Sequence, residues 1–238
     1  MSVDHAKQVV RERIWSLLAH ERAVPDGAPC NIPEFVGAAA AADRLAELPE
    51  WRAARVITTV PDTAQLPVRR HALAAGKLIY MACPRLAAAK PFYLLDPAYL
   101  PVPAAEAARK DIAVRIARNV EVDEMLPIDL IVLGSVAVNR RGVRLGKGAG
   151  YSDIEIALLQ EVGLIDERTL IATTVHRLQV VDDELPEADH DCRVDLIVTP
   201  DAVIRCDEPH RPPGLRWDSL PADKIAAIPA LAARYALR

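Results

Sequence analysis

The hydrophobic and polar positions near the start of the chain predict two helices. Val10, Ile14 and Leu18 recur at helical spacing with charged residues between them, which predicts an amphipathic helix over residues 4–21. An alanine-rich stretch has high helix propensity and predicts a second helix over residues 36–48. This helix is expected to end before Pro49, because a residue that precedes proline disfavours helical backbone.

The pattern then changes to short apolar runs that alternate with helical segments. Strands are predicted over residues 55–60, 77–82, 130–133, 170–175 and 194–198, and helices over residues 68–75 and 153–162. The strand runs are continuously apolar, as is typical of strands with helices on both faces. The repeated order of strand and helix predicts an α/β fold, a three-layer α/β/α sandwich around a mostly parallel, Rossmann-like open sheet.

The end of the chain differs from the rest in composition. Prolines become frequent after Cys206, at Pro212, Pro221 and Pro229 among others. We therefore expect one α/β domain over residues 1–206 and a peripheral, Pro-rich extension over residues 207–238.

Composition and charge exclude several classes of protein. The chain has 238 residues and a formal net charge of −4, its 29 Lys and Arg residues are dispersed, and only 4% of its residues are aromatic. These values do not predict nucleic-acid binding. No apolar run approaches the roughly 20 residues of a membrane span, and the charged N-terminus lacks a signal-peptide centre. We expect a cytoplasmic protein that binds no membrane.

The four cysteines do not predict a zinc site or a disulfide framework. Cys30, Cys83, Cys192 and Cys206 are scattered, and none of them forms a CxxC pair. Thiols in a reducing compartment are the simpler interpretation.

The stretch over residues 134–153 is the strongest candidate for chemistry. It holds five of the ten glycines and the cations Arg140, Arg141, Arg144 and Lys147, and it lies between a predicted strand and a predicted helix. Open α/β sheets bind ligands at this position, and glycines let backbone N–H groups converge on an anion. The spacing matches neither a Walker A loop nor the dinucleotide GxGxxG motif. A flexible loop with solvated arginines is the alternative, but the combination favours a polyphosphate.

Three further features have two interpretations each. Asp153 opens a predicted helix, where it either caps the helix or binds Mg²⁺. The acidic run over residues 182–191 is mostly a solvated loop, from which His190 and Asp191 are expected to face the ligand edge of the sheet. Lys7 and Arg11 lie four residues apart on one helical face, where they are either solvated or hold an anion.

Together these motifs resemble the 5-formyltetrahydrofolate cyclo-ligase family. The resemblance covers about residues 5–205, and it rests on three ordered motifs. They are Lys7-x-x-x-Arg11, the loop Gly142-x-Arg144-Leu145-Gly146-x-Gly148-x-Gly150-Tyr151-x-Asp153, and Gln179 followed by Leu185-Pro186-x-x-x-His190-Asp191-x-x-x-Asp195.

The resemblance implies an activity and a set of site residues. In this family ATP phosphorylates the formyl oxygen of 5-formyltetrahydrofolate, N10 attacks, and phosphate leaves to give 5,10-methenyltetrahydrofolate. It implies that Arg144 and Asp153 are catalytic and that Asp153 and Asp191 bind Mg²⁺. The implied ATP contacts are Lys7, Arg11, Arg144, Gly146, Lys147, Gly148, Ala149, Gly150 and Tyr151. The implied folate contacts are Gln65, Phe92, Tyr151 and Gln179.

The chain departs from the family at the end of the loop, which indicates a divergent branch. Where the family has Tyr-Tyr-Asp-Arg, this chain has Tyr151-Ser152-Asp153-Ile154. An enzyme that uses ATP on another acceptor, and a nucleotide or folate sensor without turnover, are therefore alternatives. We expect a small-molecule substrate and a monomer or homodimer.

Overall fold

A computed structural model describes residues 2–25, 31–207 and 210–238. Its helices are α1 Val3–His20, α2 Ala38–Ala46, α3 Pro49–Ala53, α4 Leu66–Ala74, α5 Ala104–Ala107, α6 Lys110–Ile116, α7 Tyr151–Glu161, α8 Ala222–Ala227 and α9 Pro229–Tyr235. Its strands are β1 Val56–Thr59, β2 Leu78–Ala82, β3 Phe92–Leu95, β4 Arg118–Val120, β5 Leu130–Leu133, β6 Ala137–Asn139, β7 Arg144–Leu145, β8 Leu170–Thr174, β9 Val180–Val181, β10 Leu196–Val198 and β11 Val203–Arg205.

Eight strands form one sheet in the order β11-β10-β8-β5-β1-β2-β3-β4. The five strands from β10 to β2 are parallel, and they are the five that the sequence predicts. Antiparallel strands extend the sheet at both edges, with β11 on one side and β3 and β4 on the other. The mostly parallel open sheet is thus confirmed.

Both faces of this sheet are covered, which confirms the layered architecture. Alternate side chains of β1 enter different cores, since Val56 packs with α7 residues whereas Ile57 packs with α2 and α4. Leu158 of α7 and Leu45 of α2, from the two outer layers, are each at most 1% exposed. Burial on both faces explains why the strand sequences are continuously apolar.

The stretch over residues 134–150 is more ordered than a loop. Strands β6 and β7 form a hairpin in it, and β6 also pairs with β9 in a second, three-stranded sheet. The side chain of Asn139 holds the hairpin turn by accepting the N–H groups of Arg141 and Val143, both at 3.1 Å. Helix α1 packs on this small sheet through Ile14 and Leu18.

The segment after Cys206 shares the core of the preceding domain. Leu215, Ile228 and Leu231 are buried in the same cluster as Leu158 of α7. The domain boundary at residue 206 stays a prediction, but these buried side chains do not fit a segment that is merely peripheral.

Three of the four cysteines lie in the part of the chain that the structure describes. Cys83, Cys192 and Cys206 are free thiols, and Cys30 lies outside the described residues. Over the part of the chain that the structure describes, no helix is long and apolar enough to cross a bilayer.

Candidate active site

A cavity of about 410 Å³ opens at the carboxyl edge of the main sheet. Most of its lining comes from four segments: helix α1, the chain from β7 into α7, the segment around Asp191, and the chain after Pro212. Its volume lies in the range of small-molecule sites. The loop and the two outlying motifs, which are distant in sequence, therefore meet at one place.

The loop over residues 146–150 has a conformation that requires glycine. Gly148 and Gly150 have φ angles of +99° and +71°, a region that side chains with a Cβ rarely adopt. Arg11 of α1 donates from Nε to the carbonyl of Gly146 at 2.8 Å. A Cβ on Gly148 would lie 3.3 Å from the guanidinium carbon of Arg11. The loop thus packs closely against the opening helix.

Arg144 and Asp153 form an ion pair inside the cavity. Arg144 Nη2 donates to Asp153 Oδ1 at 2.9 Å, and the backbone N–H of Cys192 donates to the same oxygen at 3.4 Å. Arg144 is only 4% exposed, and its buried Nε has no hydrogen-bond partner among the described residues. A buried donor without a partner costs roughly 1–3 kcal/mol, so Arg144 is held in the cavity wall at an energetic cost.

The interpretation of Asp153 as a helix cap is wrong. Gly150 stands at the N-cap of α7, and Asp153 lies inside the first turn, where its carboxylate binds Arg144. A neighbouring carboxyl, Glu155, is only 4% exposed. Burial raises the pKa of Glu155 to about 8, against the opposing effect of the nearby Arg144. Glu155 is thus mostly neutral near pH 7, and the direct hydrogen-bond partner of Arg144 is Asp153.

Lys7 and Asp191 form a second buried ion pair at the cavity. Lys7 Nζ donates to Asp191 Oδ2, and the backbone N–H of Ala188 donates to that oxygen at 2.7 Å. His190 lines the same wall with a side chain that is 56% exposed. Of the two interpretations of Lys7 and Arg11, plain solvated surface is wrong, since both are less than 9% exposed.

Two of the four predicted loop cations do not reach the cavity. Arg140 and Arg141 lie at the hairpin tip, where they pair with Asp182 and Glu184 of the acidic run. Only Arg144 and Lys147 line the cavity. Arg140 and Arg141 do not reach the cavity because they lie in the turn of the β6–β7 hairpin, whereas the cavity is lined by the loop that follows β7.

Asp62 is a cavity residue that the sequence reasoning missed. It follows β1, lines the cavity, and accepts a hydrogen bond from Lys147 Nζ at 3.1 Å. Arg69, itself 1% exposed, donates to the carbonyls of Val60 and Asp62 and so fixes this turn. Its place directly after a predicted parallel strand is a signal that could have identified it.

Three expected folate contacts, Gln65, Phe92 and Gln179, do not line the cavity. Phe92 is 0% exposed in β3, where it belongs to the sheet core, so its side chain cannot contact a ligand. Gln179 is buried and bonds the carbonyl of Ser135 at 2.7 Å and the N–H of His176 at 2.8 Å. Its amide is thus occupied by backbone. The structure separates both side chains from the site.

Gln65 differs from these two in one respect. It is fully buried and donates to Thr174 Oγ1 at 3.1 Å, but its Oε1 has no partner among the described residues. A Cβ on Gly134, which lines the cavity, would lie 3.1 Å from that oxygen. Gln65 therefore stands directly behind the cavity wall with an unused acceptor.

The donor set agrees with a magnesium ion that arrives with phosphates. Asp153 and Asp191 both line the cavity, but no cluster of three His, Cys, Asp or Glu residues that would hold a metal occurs among the described residues. Mg²⁺ commonly takes one or two carboxylates together with phosphate oxygens and water. These two aspartates fit that pattern.

Comparison with known proteins gives the same family from several directions. The sequence model of the 5-formyltetrahydrofolate cyclo-ligase family matches residues 3–200. The chain is 38% identical over 237 residues to the mouse protein named methenyltetrahydrofolate synthase domain-containing protein, covering 95% of this chain and 62% of that protein. It is 33% identical over 240 residues to the human protein of that name, covering 97% and 61%. The chain thus spans about three fifths of the length of these relatives.

A solved structure shares the fold. The NMR structure of 5,10-methenyltetrahydrofolate synthetase from Aquifex aeolicus superposes with a TM-score of 0.55 and 21% identity, covering 88% of this chain and 95% of that one. At 21% identity this likeness shows only a shared fold. The family match and the relatives of more than 30% identity show which family the chain comes from. The chain belongs to the 5-formyltetrahydrofolate cyclo-ligase family.

Proposed function

We propose that this chain is a ligase that closes 5-formyltetrahydrofolate to 5,10-methenyltetrahydrofolate with ATP and Mg²⁺. Membership of the cyclo-ligase family supports a ligase of this class. The observation that carries the proposal is Arg144, a buried guanidinium in the cavity wall beside the glycine loop, where it pairs with Asp153 at 2.9 Å.

The cavity has the charge and the backbone that a triphosphate requires. Lys7, Arg11, Arg144 and Lys147 bring cations from two segments, and the loop over residues 146–150 lies at the N-terminus of α7. Helix N-termini and glycine-rich turns bind phosphates through backbone N–H groups. We place the triphosphate along this loop, with Gly146, Lys147, Gly148, Ala149, Gly150 and Tyr151 as its contacts.

The residues of the chain bind, orient and neutralise charge. When bound, ATP supplies the phosphoryl group that makes the formyl oxygen a leaving group, and that oxygen departs as phosphate when N10 bonds to the formyl carbon. Arg144 and Arg11 stabilise the negative charge of the phosphates, and Asp153 positions Arg144 before the nucleotide binds. The proposed catalytic residues are thus Arg144 and Asp153, and no protein nucleophile is needed.

Asp153 and Asp191 would hold the magnesium ion beside the phosphates. Each is now paired with a cation, Arg144 and Lys7 respectively. A bound metal ion and an anionic triphosphate would exchange partners with these pairs, since the cations would then face phosphate oxygens and the carboxylates the metal. This keeps every buried charge paired in both states.

The folate side of the site includes Tyr151 and, behind Gly134, Gln65. Tyr151 lines the cavity next to the loop, so its ring offers a flat apolar wall for a pterin. Gln65 Oε1 has no partner among the described residues and would lie 3.1 Å from a Cβ added to Gly134, which lines the cavity. A cytoplasmic location, and a monomeric or homodimeric state, remain predictions from the sequence.

The decisive experiment mixes the purified protein with Mg-ATP and 5-formyltetrahydrofolate and follows the absorbance of the methenyl product. We expect product formation that depends on both ATP and Mg²⁺. If the protein binds ATP but forms no product, 5-formyltetrahydrofolate is not its substrate, and the proposed nucleotide site still stands.

Binding without this turnover is a second candidate function, and one observation favours it. Of the four expected folate contacts, only Tyr151 lines the cavity. A protein that binds ATP and acts on another formyl compound, or that senses nucleotide or folate, would fit this arrangement.

ATP consumption across a panel of reduced folates and other formyl compounds separates these functions. An enzyme with another substrate consumes ATP with one member of the panel. A sensor gives saturable binding with no consumption for any member.

A further inference from the structure

The C-terminal segment forms a wall of the active-site cavity. Residues from Pro212 to Lys224 line it, although the family match ends at residue 200. The segment is fixed in place, since the N–H of Leu215 donates to Glu161 of α7 at 2.8 Å. Ile228 and Leu231 then anchor it in the main core. The wall is thus built by residues outside the part of the chain that defines the family.

One cation of this segment, Lys224, reaches the glycine loop. Lys224 Nζ donates to the carbonyl of Ala149 at 2.6 Å and lies 5.2 Å from the centre of the Tyr151 ring. A Cβ on Gly150 would lie 3.0 Å from the same nitrogen. The ammonium therefore stands at the N-terminal end of α7, an 11-residue helix, where phosphates are proposed to bind.

Lys224 differs from most cavity cations in its lack of a carboxylate partner. Four others form ion pairs: Lys7 with Asp191, Arg144 with Asp153, Lys147 with Asp62, and Arg216 with Asp189. Among the described residues, the hydrogen-bond partners of Arg11 and Lys224 are neutral. Lys224 donates to the carbonyl of Ala149, and Arg11 donates to the carbonyl of Gly146 and to Gln8 Oε1. Both carbonyls belong to the loop over residues 146–150, so two cations from different segments contact this loop without a direct carboxylate partner among the described residues.

This arrangement calls for an anion. Lys224 is half-buried, and the positive end of the α7 helix dipole lies beside it, which is unfavourable for an ammonium group. A carbonyl and an aromatic face compensate the charge only in part. A phosphate group at the loop would complete the pairing of both Arg11 and Lys224.

We infer that Lys224 is a triphosphate-binding residue, supplied to the site by the C-terminal segment. The inference rests on the proposed function, since it names a further contact for the same nucleotide. Lys224 adds a cation at the end of the loop where this chain has Ile154 instead of a charged residue.

The test compares Lys224→Met with Lys224→Arg and with Lys110→Met. Lys110 is an exposed lysine in α6, away from the cavity, and serves as the matched control. Calorimetry measures the affinity for a non-hydrolysable ATP analogue and for inorganic tripolyphosphate. We expect K224M to weaken both about tenfold, the effect of one charge-assisted contact, while K224R and K110M keep affinities near that of the wild type.

The outcomes separate this inference from the proposed function. If the wild type binds neither probe, the nucleotide site fails and the inference fails with it. If the wild type binds both and K224M binds tripolyphosphate equally well, only the role of Lys224 is overturned. An equal loss in K224R and K224M would indicate a structural contact to Ala149 and would also overturn it.

Discussion

Arg144 and Asp153 are joined by an ion pair of 2.9 Å that connects strand β7 to the first turn of α7 across the glycine loop. The pair fixes both ends of the loop over residues 146–150. It also leaves one guanidinium nitrogen, Nε, buried without a partner among the described residues. The same side chain therefore shapes the loop and places a cation in the cavity wall.

The first prediction separates these two roles of Arg144. Arg144→Ala leaves Asp153 without its cation, so we expect a loss of roughly 1–3 kcal/mol in the free energy of unfolding, together with weak ATP binding. From the sequence alone, little loss of stability is expected for this variant. Arg144→Lys keeps the charge but not the planar guanidinium. We expect it to fold nearly as well as the wild type and to bind ATP about tenfold more weakly.

Urea unfolding and analogue binding, measured on both variants, check this prediction. An Arg144→Lys protein with the ATP affinity of the wild type would show that the guanidinium does not contact the nucleotide.

The second prediction concerns the backbone of the loop. Gly148→Ala places a Cβ at a φ of +99° and 3.3 Å from the Arg11 guanidinium. We expect a loss of about 1–2 kcal/mol in stability from the left-handed backbone, and displaced loop amides that weaken ATP binding. Gly163→Ala is the control, since it has a φ of +73° but no atom within 4 Å of the added Cβ.

The control is expected to lose similar stability and to keep the ATP affinity of the wild type. Equal ATP affinities for the two variants would mean that the loop does not bind the nucleotide.

The main sheet could be predicted from the sequence because its signals are local. The parallel strands are continuous apolar runs, and the helices between them have their own periodicity and end signals. The β6–β7 hairpin lacks such a signal. Its strands are short, and one of them is completed by pairing Val138 with Val180, which is distant in the sequence. The sequence therefore does not predict that Arg140 and Arg141 lie at the hairpin tip, away from the cavity.

The candidate site was predictable where its motifs are contiguous. Arg144, Asp153 and the glycines belong to one stretch, whereas Lys224 meets Ala149 only after the C-terminal segment has packed on α7. Phe92 and Tyr151 are aromatic residues of similar size, but Phe92 is fully buried in the sheet core and Tyr151 lines the cavity. This difference depends on the tertiary fold and cannot be predicted from the local sequence.

The third prediction tests the position of Phe92. Phe92→Leu removes ring atoms from a fully buried site, so we expect about 1–3 kcal/mol less stability and an unchanged KM for the folate. Tyr151→Leu is expected to do the reverse, with a raised folate KM and a small stability change. Steady-state kinetics and thermal unfolding measure both. A raised folate KM in the Phe92 variant would indicate that Phe92 does contact the folate and would contradict this prediction.

The fourth prediction is a pH dependence of stability at His176. Its Nδ1 accepts the N–H of Leu178 at 3.3 Å, which requires a neutral ring. Burial, and then the charge of Arg177, lowers the pKa of His176. The unfolded chain therefore binds a proton first as pH falls, and the stabilising effect, complete above about pH 6.5, is lost below it.

His176→Asn keeps a side-chain acceptor but does not titrate in this range. Urea unfolding from about pH 8 to about pH 5 should show a larger loss of stability in the wild type than in the variant. Parallel curves for the two proteins would contradict the assignment.

The fifth prediction concerns the metal, whose proposed ligands are now held by cations. Because Asp191 binds Lys7, replacement of Asp191 by Asn removes a proposed metal ligand and leaves the cation free to face phosphate. We expect EDTA to abolish turnover and added Mg²⁺ to restore it. Asp191→Asn should raise the Mg²⁺ concentration for half-maximal turnover about tenfold. Asp189→Asn, an exposed neighbour outside the cavity lining, should not. Turnover in EDTA, or equal Mg²⁺ titrations for both variants, would remove Asp191 from the metal site.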